Sequence, residues 1–157
     1  MGLLDEGVTY LETVNVVGTT TYMPLEYLQA GQVSIKTDAY AFGIVLLELM
    51  TGKPAFDRKV HETLGNHMFP KLGNPAELLA TIDIKARWEQ GPFLRVAGIA
   101  RGCLEQVHAM RKEVGAVLPE LDELAGRQAV RRAARGEEYD PMTGELVKIK
   151  PKPKKKR

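Results

Sequence analysis

Cysteine is almost absent. The 157 residues contain one, Cys103, so no disulfide can form within the chain and a stapled secreted scaffold is excluded; a reducing compartment fits. Long apolar runs are absent too. The longest, residues 39–50, has 12 residues and includes one acid. A membrane-spanning helix needs about 20, so this run reads as a buried helix. Residues 1–7 carry no basic side chain and no long apolar stretch, so this stretch is not expected to be a secretory leader. Glu6 stands where an N-myristoylation signal would place Ser or Thr. The three histidines, His61, His67 and His108, are scattered and have no cysteine at ligand spacing, so no metal site is expected. Cys103 sits in an apolar stretch and reads as a small buried hydrophobe rather than a nucleophile.

What is present is the balance of a globular chain, 44% hydrophobic and 27% charged, long enough to bury a core. The formal charge of +2 is unevenly placed. Residues 148–157 hold seven of the 22 basic side chains and no acid, which leaves 15 basic against 20 acidic on the body. The positive sign therefore belongs to a tail and implies no basic face elsewhere. That tail is proline-broken and reads as disordered. Within it, Lys152–Arg157 could act as a nuclear address, a nucleic-acid contact or a membrane-surface patch. Without interleaved aromatics it lacks the means to stack on single strands, and a solubilising role is the plainest reading.

Hydrophobic spacing places the helices. Residues 1–22 are rich in Thr, Val and Gly and show no helical period, so an extended, poorly held loop is expected. Residues 24–28 suit one helical turn, followed by a turn at 29–32. Thr37 or Asp38 is positioned to cap a helix running to Met50, closed by Gly52 and Pro54. That helix is apolar on nearly every face and should run through the middle of a core. Residues 53–75 read as irregular, with a short helix near 61–64 and another beginning at Pro75. Further helices are expected over 93–104 and 110–124, the latter with Val114, Val117, Leu118, Leu121 and Leu124 on one side. Residues 126–139 are charged and helix-prone, and 140–144 form a turn. The fold class expected is mainly α.

Two stretches at linked spacing carry a resemblance. Val16-Val17-Gly18-Thr19-Thr20-Thr21-Tyr22-Met23-Pro24-Leu25-Glu26 resembles the end of a protein kinase activation segment. Twelve residues beyond Glu26, Asp38-Ala39-Tyr40-Ala41-Phe42-Gly43-Ile44-Val45-Leu46-Leu47-Glu48-Leu49 is similar to the central helix of the kinase C-lobe. Cys103 and Arg111, with Val114, Val117 and Leu121, match the spacing near the end of such domains. The flavour is that of plant receptor-like kinases, Pelle and the interleukin-1-receptor-associated kinases. The usual Ala-Pro-Glu reads Pro24-Leu25-Glu26 here, and Lys112 replaces the proline common after the late arginine.

The resemblance implies a C-lobe portion over residues 1–126, a helical and turn extension over 127–147, and a disordered basic tail over 148–157. It implies a substrate loop at Gly18, Thr19 and Tyr22, with Gly18 allowing a sharp turn. It also implies a structural ion pair between Glu26 and Arg111, an anchor for the catalytic loop at Asp38, and phosphoacceptors such as Thr13 and Thr20. No Gly-x-Gly-x-x-Gly, His-Arg-Asp or Asp-Phe-Gly occurs in the sequence. Those motifs hold ATP and its magnesium and supply the catalytic aspartate. The expectation is therefore that the parent kinase uses ATP and Mg and phosphorylates protein hydroxyls, while this chain has no cofactor of its own and does not catalyse. Its expected partners are the N-terminal half of the kinase domain or another protein, rather than nucleic acid, in the cytoplasm.

Overall fold

The computed structural model describes residues 11–12, 20–139 and 146–148. Backbone contacts divide the chain into two units, Met1–Val117 and Leu118–Arg157. The first unit opens with β1 (Leu11–Glu12), followed by a 3-10 turn at Thr20–Tyr22 and α1 (Leu25–Ala30). Next come β2 (Gln32–Val33) and α2 (Ile35–Thr51). β1 and β2 pair antiparallel, Leu11 opposite Val33. A small hairpin of β3 (Phe56–Asp57) and β4 (Glu62–Thr63) leads into α3 (Leu64–Met68) and α4 (Pro75–Leu79). α5 (Gln90–Cys103) and the start of α6 (Val114–Ala134) complete the unit.

α2 is the longest helix of the first unit, and local chemistry sets both its ends. Its cap is Ser34, not Thr37 or Asp38 as the spacing had suggested. Ser34 Oγ accepts from the Lys36 N–H at 3.2 Å, and Thr37 Oγ1 accepts from the Ser34 N–H at 3.0 Å. This is a reciprocal capping arrangement with Thr37 in the third helical position. At the far end Gly52 adopts φ 65°, a left-handed conformation that closes a helix at little cost in glycine, and its N–H returns to Glu48 O at 2.8 Å. An added Cβ there would also meet Asp83 Oδ2 at 2.9 Å.

The core lies where α2 crosses α5 and α3. Ile44, Leu47 and Met50 of α2 are fully buried, as are Phe93, Ala100 and Cys103 of α5 and Leu104 just beyond it. Burying the larger of these, Ile, Leu, Met and Phe, contributes about 1.5–3 kcal/mol each. Gly43 allows the close approach: a Cβ added there would sit 2.7 Å from Leu104 Cγ and 3.1 Å from Cys103 Cβ. Trp88 meets Phe93 edge-on at 5.9 Å, and its indole N–H donates to Leu49 O at 3.3 Å. α2 is not enclosed on every side, however. Leu49 is 61% exposed and Val45 39%, so its apolar surface exceeds what the core of this unit covers.

Other boundaries also differ from the sequence reading. Residues 53–75 hold a hairpin and two short helices rather than irregular chain, and the helix expected near 61–64 is α3, starting at Leu64. In the second unit α6 continues to Ala134, ten residues beyond the expected end. There β5 (Glu137–Tyr139) pairs antiparallel with β6 (Leu146–Lys148), Glu138 opposite Val147. The expected turn at 140–144 and the tail after Lys148 lie outside the described residues. No helix among the described residues is long and apolar enough to cross a membrane.

Candidate functional site

Pro24 is fully buried and extended (φ −73°, ψ 161°), which aims the chain into α1. Glu26 falls in the first turn of that helix, where a carboxylate is favoured by the exposed amides. α1 ends after one and a half turns at Gly31 (φ 64°), whose N–H returns to Tyr27 O at 3.0 Å. So short a helix is not stable by itself and must be held from outside.

Arg111 is what holds it. Its guanidinium grips the Glu26 carboxylate at two points, Nη1 to Oε1 at 2.5 Å and Nη2 to Oε2 at 3.3 Å. Nε–H donates to Glu105 O at 2.9 Å and Nη1 also donates to Lys36 O at 3.2 Å. The guanidinium carbon lies 5.1 Å from the centre of the Tyr40 ring, within cation–π range. The Arg111 side chain is 1% exposed and that of Glu26 16%. The pair is thus buried, bidentate and charge-assisted, the strong class of such contacts. It joins residues 85 apart in sequence, the two that the family resemblance implied as an ion pair. Burial raises the Tyr40 phenol above its ordinary value; Arg111 pulls it down and Glu26 adds to the rise.

A second tie holds the segment before α1. Tyr22 O–H donates to Glu48 Oε2 at 2.9 Å, and the other oxygen of Glu48 accepts from the Ala55 N–H at 2.9 Å. One acid in the apolar run of α2 therefore fastens two separate chain segments. The bond to Glu48, then burial and the nearby charge, raises the Tyr22 phenol. Glu48 was not singled out from the sequence, although a lone acid within an apolar helix is a signal of this kind.

The remaining expected site residues divide in two. Gly18, Thr19 and Thr13 lie outside the described residues. Thr20 is exposed at the start of its 3-10 turn, and its carbonyl accepts from the Met23 N–H at 3.2 Å. Asp38 is exposed in the first turn of α2, close to the helix amides but bonded to none of the described residues.

A cleft of about 180 Å³ lies under the β3–β4 hairpin. Pro54, Val60 and Leu64 line it together with Lys53, Asp57, Glu62 and His67. His67 Nδ1 lies 3.1 Å from Glu62 Oε2, and Lys71 Nζ lies 2.5 Å from His67 Nε2. Charges of both signs thus meet in a shallow space, with no set of convergent donors for a triphosphate. Among the described residues no group of three or more His, Cys, Asp or Glu could hold a metal ion.

The protein kinase domain family matches residues 2–118, which include both members of the clamp and the α2–α5 core. The chain belongs to that family. Among similar proteins, the probable serine/threonine-protein kinase PBL11 of Arabidopsis thaliana is 29% identical over 137 residues, 83% of this chain and 34% of that protein. The probable serine/threonine-protein kinase PBL3 of the same plant is 32% identical over 121 residues, 74% and 28% respectively. A probable LRR receptor-like serine/threonine-protein kinase, again from Arabidopsis, is 28% identical over 134 residues, 84% and 15%. The chain spans about a third or less of the length of these relatives. The kinase-domain match stops at the start of α6, close to the boundary between the two units.

Proposed function

We propose that these residues form the substrate-facing part of the C-lobe of a serine/threonine kinase, and that by themselves they transfer no phosphoryl group. Family membership supports the first half, and the buried Glu26–Arg111 clamp is the observation that carries it. The second half rests on the residue inventory. Phosphoryl transfer needs donors cradling the phosphates, a metal-holding acid and an acid to receive the hydroxyl proton. The sequence has no Gly-x-Gly-x-x-Gly, His-Arg-Asp or Asp-Phe-Gly, so these residues do not fit ATP and magnesium. In the whole kinase, the segments bearing those motifs would hold both.

In this reading Gly18, Thr19 and Tyr22 belong to the loop that faces the substrate hydroxyl, fastened through Tyr22 to Glu48. Asp38, exposed at the head of α2, is the anchor for the catalytic loop. Thr13 and Thr20 are phosphoacceptors. The kinase-like body occupies residues 1–126, with 127–147 an appendage and 148–157 a tail. The partner is the N-terminal half of the domain, and Val45 and Leu49 on the outer face of α2 offer it an apolar surface. The buried thiol of Cys103 suits a reducing intracellular setting, with Lys152–Arg157 available as a nuclear address. The same exposed stripe favours a second reading, a non-catalytic module that binds another protein.

The test joins this chain, in one polypeptide, to the portion of the probable serine/threonine-protein kinase PBL3 that precedes the matching segment. The isolated chain should label no generic protein substrate from radioactive ATP, and the chimaera should label it on Ser and Thr. Transfer by the isolated chain would overturn the proposal of inactivity. A folded, ATP-binding chimaera that never transfers would favour the non-catalytic module.

A further inference from the structure

The clamp is only as good as the turn that presents Arg111, and that turn has a further tie to α2. Residues 105–111 include a 3-10 turn at His108–Met110. Within it the Met110 N–H returns to Val107 O at 2.9 Å, and the Arg111 N–H is shared between the carbonyls of Val107 and His108, both at 3.2 Å. Lys36, in the first turn of α2, crosses to the same place. Its ammonium donates to His108 O at 3.1 Å and to Ala109 O at 3.0 Å, while its own carbonyl accepts from Arg111 Nη1 at 3.2 Å. Beside it Ser34 Oγ lies 2.9 Å from His108 Nε2. Carbonyls ending a short helix gather negative charge, and a cation there is bonded strongly. Arginine carries large rotamer freedom, so a guanidinium held in one place needs a fixed point of departure.

We propose that Lys36 is the positioning residue of the clamp: by tying its ammonium to the turn and its carbonyl to the guanidinium, it sets the direction from which Arg111 reaches Glu26. Lys36 and Glu26 share no hydrogen bond of their own, and high salt screens their through-space attraction, so coupling that persists in high salt passes through Arg111. A strap that merely held the turn to α2 would show no such coupling.

The test is a double-mutant cycle on the full chain, in urea at high salt, with Lys36→Met and Glu26→Gln. Lys36→Met keeps the aliphatic stem and removes the ammonium. In the native background it should shift the folding equilibrium about tenfold, or about 1.4 kcal/mol. In the Glu26→Gln background the shift should fall below threefold, and Lys36→Arg should restore most of the loss. An equal tenfold shift in both backgrounds overturns the proposal. If Lys36→Met does not fold unaided, sucrose strengthens the compact state, and exchange of the Arg111 Nε proton is then read by NMR. That proton should exchange at least tenfold faster than in the native chain. An unchanged rate equally overturns the proposal.

Discussion

Removing the Glu26 carboxylate gives the sharpest test of the physical reasoning. Glu26→Ala would leave the Arg111 guanidinium, 1% exposed, with the carbonyls of Glu105 and Lys36 and the Tyr40 ring but no counter-charge. Breaking a buried pair from one side costs about 3–5 kcal/mol. The lower end applies here, because Glu26 retains 16% exposure and water can enter behind it; about 3 kcal/mol is therefore expected. Domains of this class have only about 5–15 kcal/mol in total, so the variant should fold but melt early. Glu26→Gln keeps one acceptor and loses the charge and the second acceptor, and should cost about 1.5 kcal/mol. Urea unfolding followed by helical circular dichroism and by the fluorescence of Trp88, the single tryptophan, measures both. The midpoint should fall with little change in slope. Arg111→Met should cost a similar amount, and the double variant should cost less than the two singles together by about 2 kcal/mol. Additive losses, or a Glu26→Ala loss under about 0.5 kcal/mol, would show that the pair behaves as a solvated surface contact and that the clamp is not what orders α1.

Two further outcomes follow from the core. Gly43→Ala forces a methyl to within 2.7 Å of Leu104 Cγ, and Leu104 is itself 1% exposed and cannot swing away; a loss of about 1–3 kcal/mol is expected by thermal or urea melting, whereas the open site at Gly98 should tolerate the same change far better. Burial raises the Cys103 thiol above its ordinary 9.0, with Lys112 and then Arg111 pulling it partly back. The folded chain therefore keeps the proton that the unfolded chain releases. That stabilising contribution is complete below the unfolded value and is lost as pH rises through the folded one. Iodoacetamide should react slowly with the native chain at pH 8 and quickly in urea, and the stability curve should decline above about pH 9; fast native alkylation would contradict the burial.

The long helices and the clamp were legible in the sequence because each rests on a strong, repetitive or long-range signal. α2 shows as an apolar run closed by Gly52, and α5 by its own apolar spacing. The pairing of Glu26 with Arg111 followed from the family resemblance, not from spacing alone, since nothing local links two residues 85 apart. What was not legible is short or shared. A two-residue strand such as β3 has no period to detect, so the 53–75 segment looked irregular. The start of α2 was misplaced by three or four residues, because the acceptor in the third helical position is Thr37 rather than the Glu or Gln of the usual capping signature. Glu48, Lys36 and His108 were passed over because their importance lies in what they touch, and only tertiary packing brings Tyr22, Ala55 and the 108–109 carbonyls to them.

These ties converge on one helix. Lys36 bonds the 108–111 turn, Tyr40 lies under the guanidinium, Gly43 admits α5, and Glu48 fastens Tyr22 and Ala55. Successive turns of α2 thus hold segments that have no local reason to stay in place, α1 and the 3-10 turn before it being too short to persist alone. Disturbing the helix at any of these positions should loosen segments on both sides of it. A perturbation that melts the Thr20–Tyr22 turn but leaves the 108–111 turn protected would locate the weaker tie at Glu48, where Tyr22 is held by one neutral donor rather than by a buried pair of opposite charges.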